Sequence, residues 1–317
     1  MKGGQYFAVA DGVNIYYSLD GPEDGIPILL LHGWVCDQND WAFQVPFLVS
    51  LGFRVVGMDY RGHGHSSVTD AVTKFDPLTL AEDAAALLGH LGVGGSNSNG
   101  SGSTHSGSGN GNGNGNHSSN DDQKAIVMGH SIGALVTHQL ALRHGNLVRG
   151  IVLVDSAYAL TPPSLAHVAQ MLETVDPPEQ AAVAATDFFA ASGIYLAEHG
   201  TPAWLAPFHQ RRAWAMRPRV VVGFWKGMQA HLGESGVAYL KRTGRPAGIP
   251  KLVTGAAESN LEIEREAGEL DEKVDRVEVI AGGHFHHVNR PDRFNEVLGE
   301  WLVERGWVKE SNGGKME

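Results

Sequence analysis

The chain has 317 residues, 42 % hydrophobic and 19 % charged, which is enough apolar material for one large domain or two small ones. Its 24 basic and 35 acidic side chains give a net charge of −11, so binding to nucleic acid or to an anionic membrane surface is disfavoured. A single cysteine, Cys36, argues against disulfide frameworks and thiolate zinc sites. The sequence shows no signal region and no membrane span, so we expect a cytoplasmic protein of undetermined oligomeric state.

Short β-branched runs alternate with longer helical patterns along the chain. Apolar runs and one Asp-Gly hairpin signal predict strands at 6–10, 13–17, 26–31, 53–59, 125–128, 150–155, 251–255 and 276–281. Helical spacing predicts helices at 80–91, 132–144 and 291–303. This alternation predicts an α/β fold, in which a mostly parallel central sheet carries helices on both faces and binds ligands at the carboxyl ends of its strands.

Two segments depart from the alternation. Residues 94–120 are almost entirely Gly, Ser and Asn, and we expect them to form a disordered surface insertion because they have little to bury. Residues 158–248 carry many aromatic side chains at helical spacing, which predicts a helical cap inserted between two strands. The core domain would then comprise residues 1–157 and 249–310.

The sequence Gly129-His130-Ser131-Ile132-Gly133 stands between a predicted strand and a predicted helix. A serine on a sharp strand-to-helix turn has a strained backbone, and glycines on either side let the helix approach closely. Such a turn would lift Oγ of Ser131 clear of the sheet and aim the Ile132 amide at an oxygen that gains negative charge. Ser131 is therefore the candidate nucleophile, and the alternative is an ordinary helix-capping serine.

Two other loops could supply the remaining parts of a nucleophilic site. Trp34 lies in a glycine-containing loop after a predicted strand, so its amide is a candidate second donor to an oxyanion. His284 directly follows the last predicted strand, behind two glycines, where an imidazole could reach both a serine hydroxyl and a carboxylate. Among sixteen histidines His284 is the candidate base, because His286 and His287 lie too far along the loop.

Clustered histidines could instead suggest metal ligands. The pair His63 and His65 is followed by serines rather than by an acid, and the sequence contains no His-Glu-x-x-His motif. We therefore expect neither a metal nor another cofactor.

Residues 26–303 resemble the α/β-hydrolase family, in particular its serine-hydrolase branch of esterases and lactonases. The resemblance is carried, in the family's order, by His32-Gly33-Trp34, the segment 59–66, the Ser131 motif and Gly283-His284. It implies that Ser131 is the nucleophile, that His284 is the base, and that the amides of Trp34 and Ile132 form the oxyanion hole. In the family the segment corresponding to 59–66 is a structural turn beside the site.

The third triad member departs from the family's commonest pattern. Members usually place an aspartate three residues after a glycine at the end of the penultimate strand, and here Glu258 holds that position after Gly255. Other branches, such as those resembling zearalenone lactone hydrolases, carry the acid after an earlier strand, where this chain has Asp155. We favour Asp155, with Glu258 as the alternative acid, and the sequence leaves the choice open.

These features predict an enzyme that cleaves a carboxylic ester or lactone of a small hydrophobic or aromatic substrate through an acyl-serine intermediate. The alternatives are a cofactor-free dioxygenase, a hydrolase of carbon–carbon bonds, or a ligand-binding protein with a residual triad. No nucleic acid or membrane partner is expected.

Overall fold

The computed structural model describes residues 4–94, 123–233, 235–268 and 270–308. Within them eight strands form one open sheet in the order β1-β2-β4-β3-β5-β6-β7-β8. The strands are β1 (Gln5–Ala8), β2 (Asn14–Asp20), β3 (Pro27–Leu31), β4 (Arg54–Met58), β5 (Ala125–His130), β6 (Val148–Val154), β7 (Lys251–Gly255) and β8 (Arg276–Val279). The first two strands form the expected hairpin, β2 pairs antiparallel with β4, and all other neighbours pair in parallel. The predicted α/β architecture is confirmed.

Eleven α-helices accompany the sheet in the described part of the chain. They are α1 (Gln44–Ser50), α2 (Pro77–His90), α3 (Ile132–Arg143), α4 (Pro162–Thr174), α5 (Ala181–Ala191), α6 (Leu205–Trp214), α7 (Pro218–Leu232), α8 (Gly236–Thr243), α9 (Glu258–Ala267), α10 (His286–Asn289) and α11 (Pro291–Glu304). None of the helices seen in these residues combines the length and the apolar character that crossing a bilayer requires.

The central strands are buried on both faces, which explains why their sequences are continuous apolar runs and do not alternate between polar and apolar residues. In β3, Leu29 and Leu31 belong to a large apolar cluster, whereas Ile28 and Leu30 point to the opposite face and join a smaller one. The large cluster includes α2 and α3 and extends into the helices that follow β6. Helices α1 and α11 cover the other face. The two layers of helices fix the sheet from both sides.

Element boundaries differ from the sequence expectations where side-chain capping or turn strain decides them. Helix α2 begins earlier than predicted because Asp76 accepts hydrogen bonds from the Leu78 and Thr79 amides, both at 3.1 Å, and Pro77 suits the first helical position. Strand β5 extends two residues beyond its predicted end and so continues up to the residue before Ser131. Helices α1, α9 and α10 were not predicted.

The predicted insertion at 94–120 lies outside the described residues except for Gly94. The Gly94 amide donates a hydrogen bond to the Gln123 carbonyl at 2.9 Å. Gly94 and Gln123, the described residues on either side of residues 95–122, are therefore in contact between α2 and β5.

Helices α4 to α8 all lie between β6 and β7, within the span predicted as a cap. Helix α5 packs against α6, and α4 packs against α7. Phe224 and Trp225 of α7 are buried where these helices meet the core. That residues 158–248 form a domain distinct from 1–157 and 249–310 stays a prediction.

A buried ion pair lies between β7 and α9. Lys251 and Glu264 are almost fully buried, and Nζ lies 2.7 Å from Oε2. The Tyr158 hydroxyl donates to the other carboxylate oxygen of Glu264. Each charge is thus compensated, and removal of one partner would leave the other charge buried without its counter-ion.

Replacement of the buried ammonium tests the importance of this pair. We expect Lys251→Met to lower the free energy of unfolding by about 3–5 kcal/mol, because Glu264 would keep a buried, uncompensated charge. The same substitution at Lys226, whose ammonium pairs with Glu173 on the surface, should cost less than about 1 kcal/mol. Urea denaturation of both variants makes the comparison, and equal losses would contradict the assignment.

Candidate active site

Ser131 occupies the turn between β5 and α3 with φ 57° and ψ −117°, a strained backbone for a residue other than glycine. The neighbouring glycines are sterically required. A Cβ on Gly133 would lie 2.5 Å from the Leu31 carbonyl oxygen, and one on Gly129 would lie still closer to the Gly133 carbonyl. The motif therefore permits a close approach of α3 to β3 and β5, as the sequence analysis argued.

The end of β6 holds this turn in place. The Ser131 amide donates to the Val154 carbonyl at 2.9 Å, and the Ser131 carbonyl accepts from the amides of Ala134 and Ala157, both at 3.1 Å. Asp155, the next residue after β6, also has a positive φ of 41°. The strained serine and this carboxylate are consequently positioned by the same strand end.

Asp155 is buried and uses both of its carboxylate oxygens. Oδ2 lies 2.6 Å from Nδ1 of His284, while Oδ1 accepts from the Ala256 amide at 2.9 Å and from Nδ2 of Asn260 at 2.7 Å. Burial alone would raise the pKa of Asp155, but the hydrogen bond and charge of His284 outweigh it and the pKa lies below its ordinary value. Asp155 therefore stays ionised and can orient the imidazole.

Glu258, the alternative acid, lies elsewhere. It is the first residue of α9, its side chain is 57 % exposed, and its carboxylate pairs with Arg265 of the same helix. The structure brings Asp155 to His284 and does not bring Glu258 there. Sequence reasoning missed Asn260, although its position five residues after Gly255, in the stretch searched for the acid, was a usable signal.

A cavity of about 300 Å³ lies at the carboxyl ends of the strands. All five candidates, Ser131, His284, Asp155, Trp34 and Ile132, line it. Most of the remaining wall is apolar and comes from the helices between β6 and β7 and from the His284 loop. These apolar lining residues are Leu160, Phe188, Phe189, Ile194, Trp225, Met228 and Phe285. No hydrogen bond joins Ser131 to His284 among the described residues, and such bonds commonly tighten only when substrate binds.

Trp34 and Ile132, whose amides are the candidate oxyanion donors, both line the cavity. The Ile132 amide opens helix α3, so it has no partner within the helix and lies at the positive end of the helix dipole. Trp34 follows β3, and its indole Nε1 donates to the Val221 carbonyl of α7 at 3.0 Å. The Trp34 ring also packs on Trp225, with ring centroids 4.7 Å apart. The loop carrying Trp34 is thereby attached to α7.

Other histidines near the cavity are fixed in structural contacts. His32 donates from Nδ1 to the Gly33 carbonyl at 2.8 Å and accepts from the Tyr60 amide at 3.1 Å. Burial lowers the pKa of His286 to about 4 and that of His287 to about 3, which keeps both rings neutral. His284 differs from them because it is partly exposed and hydrogen-bonded to a carboxylate.

Comparison with known proteins identifies the family. Residues 28–297 match the alpha/beta hydrolase family. The chain is 45 % identical over 78 residues to a non-heme chloroperoxidase of Streptomyces lividans, which is 25 % of this chain and 28 % of that protein. It is 42 % identical over 91 residues to a bifunctional esterase/perhydrolase of Acinetobacter calcoaceticus, or 29 % of this chain and 32 % of that protein. The matched segments span less than a third of the length of these two relatives.

Solved structures agree over nearly the whole chain. An enol-lactonase from Burkholderia xenovorans has a TM-score of 0.69 at 20 % identity, with 94 % of this chain and 100 % of that chain covered. A hydrolase from Pseudomonas aeruginosa has a TM-score of 0.69 at 21 % identity, with 95 % and 98 % covered. At these identities the likeness establishes the fold.

Alanine substitutions test the close approach at the serine turn. We expect Gly133→Ala to destabilise the protein by roughly 2 kcal/mol or more, because the added methyl group would meet the rigid backbone of β3. Gly89→Ala is the matched control, since Gly89 lies in α2 with nothing within 4 Å of an added Cβ. That substitution should stabilise by about 0.5–1 kcal/mol. Thermal unfolding of both variants measures the difference, and a stable Gly133→Ala protein would refute the steric argument.

The buried histidines predict a loss of stability in mild acid. In the unfolded chain His287 has a pKa near 6.5, whereas burial in the native state lowers its pKa to about 3. Between these pH values only the unfolded chain binds the proton. The free energy of unfolding should therefore fall by roughly 2 kcal/mol from this residue alone between about pH 7 and about pH 5. Urea titrations at the two pH values test this. His287→Gln should flatten the dependence, whereas His65→Gln, at an exposed position, should not; an unchanged stability would contradict the prediction.

Proposed function

The chain belongs to the α/β-hydrolase family, and on this premise we propose that it is a serine hydrolase acting on carboxylic esters or lactones. The observation that carries the proposal is the shared cavity, whose wall includes both Ser131 and the His284 imidazole, with Nδ1 of His284 held by Oδ2 of Asp155 at 2.6 Å. Its curated relatives include a bifunctional esterase/perhydrolase, and its structural neighbours include an enol-lactonase. No metal or other cofactor is needed for this chemistry.

The mechanism follows from the groups present. His284 accepts the Ser131 proton at Nε2 as Oγ attacks the substrate carbonyl, while Asp155 holds Nδ1–H and stabilises the imidazolium. The amides of Trp34 and Ile132 stabilise the oxyanion of the tetrahedral intermediate. His284 then protonates the leaving alkoxide, leaving an acyl-serine. A water molecule, deprotonated by His284, attacks the acyl group and releases the carboxylic acid.

The cavity supports a small hydrophobic or aromatic substrate. A volume of about 300 Å³ is at the small end for ligand sites, and aromatic and aliphatic side chains form most of its wall. Its polar lining groups include Ser131, His284, Asp155 and Asn260, which would face the reacting carbonyl. The net charge of −11 is consistent with an enzyme that acts on small molecules rather than on nucleic acid.

Substitution of the nucleophile tests the activity. Ser131→Ala should abolish hydrolysis of p-nitrophenyl acetate while leaving the melting temperature close to that of the native protein, because only the hydroxyl is lost. A fluorophosphonate probe should label the native protein on Ser131 and leave the variant unlabelled. Turnover retained by Ser131→Ala would exclude the acyl-serine mechanism.

The two candidate acids are distinguished by a matched pair of isosteric substitutions. Asp155→Asn should lower kcat by about 10³–10⁴-fold, because the amide favours the wrong imidazole tautomer and removes the charge. Glu258→Gln should change kcat less than about twofold, since it removes only an exposed ion pair. Steady-state kinetics of both variants gives the answer, and the opposite ranking would assign the acid to Glu258.

A further inference from the structure

A second polar cluster lies beside the cavity, where α6 meets the loop after β3, and one of its members, Cys36, lines the cavity. Cys36, Asp40 and His209 are buried, and one ligand atom of each, Sγ, a carboxylate oxygen and a ring nitrogen, lies within 4.8 Å of the others. We propose that these three side chains form a binding site for a borderline divalent metal ion such as Zn²⁺, separate from Ser131 and His284.

Two of the three side chains have buried atoms without partners. Oδ2 of Asp40 and Nε2 of His209 make no hydrogen bond within the described residues, although both side chains are fully buried. His209 Nε2 lies 3.6 Å from Oδ1 of Asp40, which is too long for a hydrogen bond. A buried acceptor left without a partner destabilises the native state, and a shared cation would satisfy both atoms.

The surrounding contacts leave these atoms available to a metal. Oδ1 of Asp40 is occupied by Nη2 of Arg212 at 2.5 Å, so Oδ2 is the free oxygen. The Tyr195 hydroxyl lies 2.9 Å from Nδ1 of His209. When Nδ1 carries the proton and donates to this hydroxyl, Nε2 presents its lone pair, the arrangement that metal-binding histidines commonly use.

The charges of the cluster also favour a cation. Arg212 pairs with Asp37 at 2.7 Å as well as with Asp40, so one positive charge faces two negative ones. Binding of a divalent ion would release the Cys36 proton to solvent, and the thiolate would bring the site to a net charge of −2 before the ion is counted. A divalent ion would neutralise that charge within a buried region.

The donor set and the access route fit the same kind of ion. One thiolate, one imidazole and one carboxylate are ligands that Zn²⁺ takes at about 2.0–2.3 Å, so the three atoms need only close around the ion slightly. Cys36 lines the substrate cavity, which provides an entry path and room for water in the fourth position. A metal was not expected from the sequence, because Cys36 is a lone cysteine and because neither the His63/His65 pair nor a His-Glu-x-x-His motif supplied a ligand set. Cys36 and His209 are far apart in the chain, and only the fold brings them together.

Cobalt spectroscopy tests the site independently of enzymatic activity. Because Cys36 is the only cysteine of the chain, a sulfur-to-cobalt charge-transfer band can arise from no other side chain. We expect Co²⁺ to bind one equivalent with this band and with the visible bands of tetrahedral coordination, and we expect Zn²⁺ to displace it. Cys36→Ser should abolish the charge-transfer band, and His209→Gln should weaken Co²⁺ binding at least about tenfold.

Two further variants separate this site from the candidate active site and from the surface. His284→Gln and His65→Gln should both retain the band with unchanged affinity, because neither residue belongs to the cluster. Circular dichroism of each variant confirms that it is folded. The proposal is overturned if saturating Co²⁺ gives no sulfur band with the native protein. It is also overturned if folded His209→Gln and Asp40→Asn bind Co²⁺ as tightly as the native protein does.

Discussion

The strained backbone of Ser131 is the constraint on which the candidate site depends. Its positive φ is tolerated because Gly129 and Gly133 let α3 approach β3 and β5, and because the Val154 carbonyl holds its amide. The same end of β6 then continues into Asp155, whose own backbone is left-handed. Ser131, the candidate nucleophile, and the Asp155 carboxylate are thus located relative to each other by backbone hydrogen bonds and not by flexible side chains.

Much of the fold could be predicted because its signals are local. Buried parallel strands are encoded by short apolar runs, and the glycine-flanked serine motif predicts both the turn and the helix that follows it. Helix α9 was missed because its buried positions are few, with Leu261 and Glu264 among them, and one of these is charged. From the sequence alone Glu264 would be predicted to lie on the surface. Its burial is explained only by the ion pair with Lys251, which the fold brings next to it.

The choice between the two candidate acids could not be made from the sequence. Asp155 and Glu258 both follow strands that end at the same edge of the sheet, so strand order alone cannot separate them. The two residues differ in the direction in which their side chains point. The turn after β6 directs Asp155 inward to His284 and to Asn260, whereas Glu258 opens a helix and points along its outer face toward Arg265. Such orientations depend on tertiary packing, and a sequence motif does not encode them.

The attachment of Trp34 to α7 links the helices over the cavity to one of the two amides proposed to bind the oxyanion. The indole donates a hydrogen bond to the Val221 carbonyl, and Arg212 of α6 forms ion pairs with Asp37 and Asp40 of the same loop. A molecule too bulky for the cavity could enter only by lifting these helices, which would pull on the loop and misalign the Trp34 amide. An oversized substrate would then show a lowered kcat more than a weakened binding affinity.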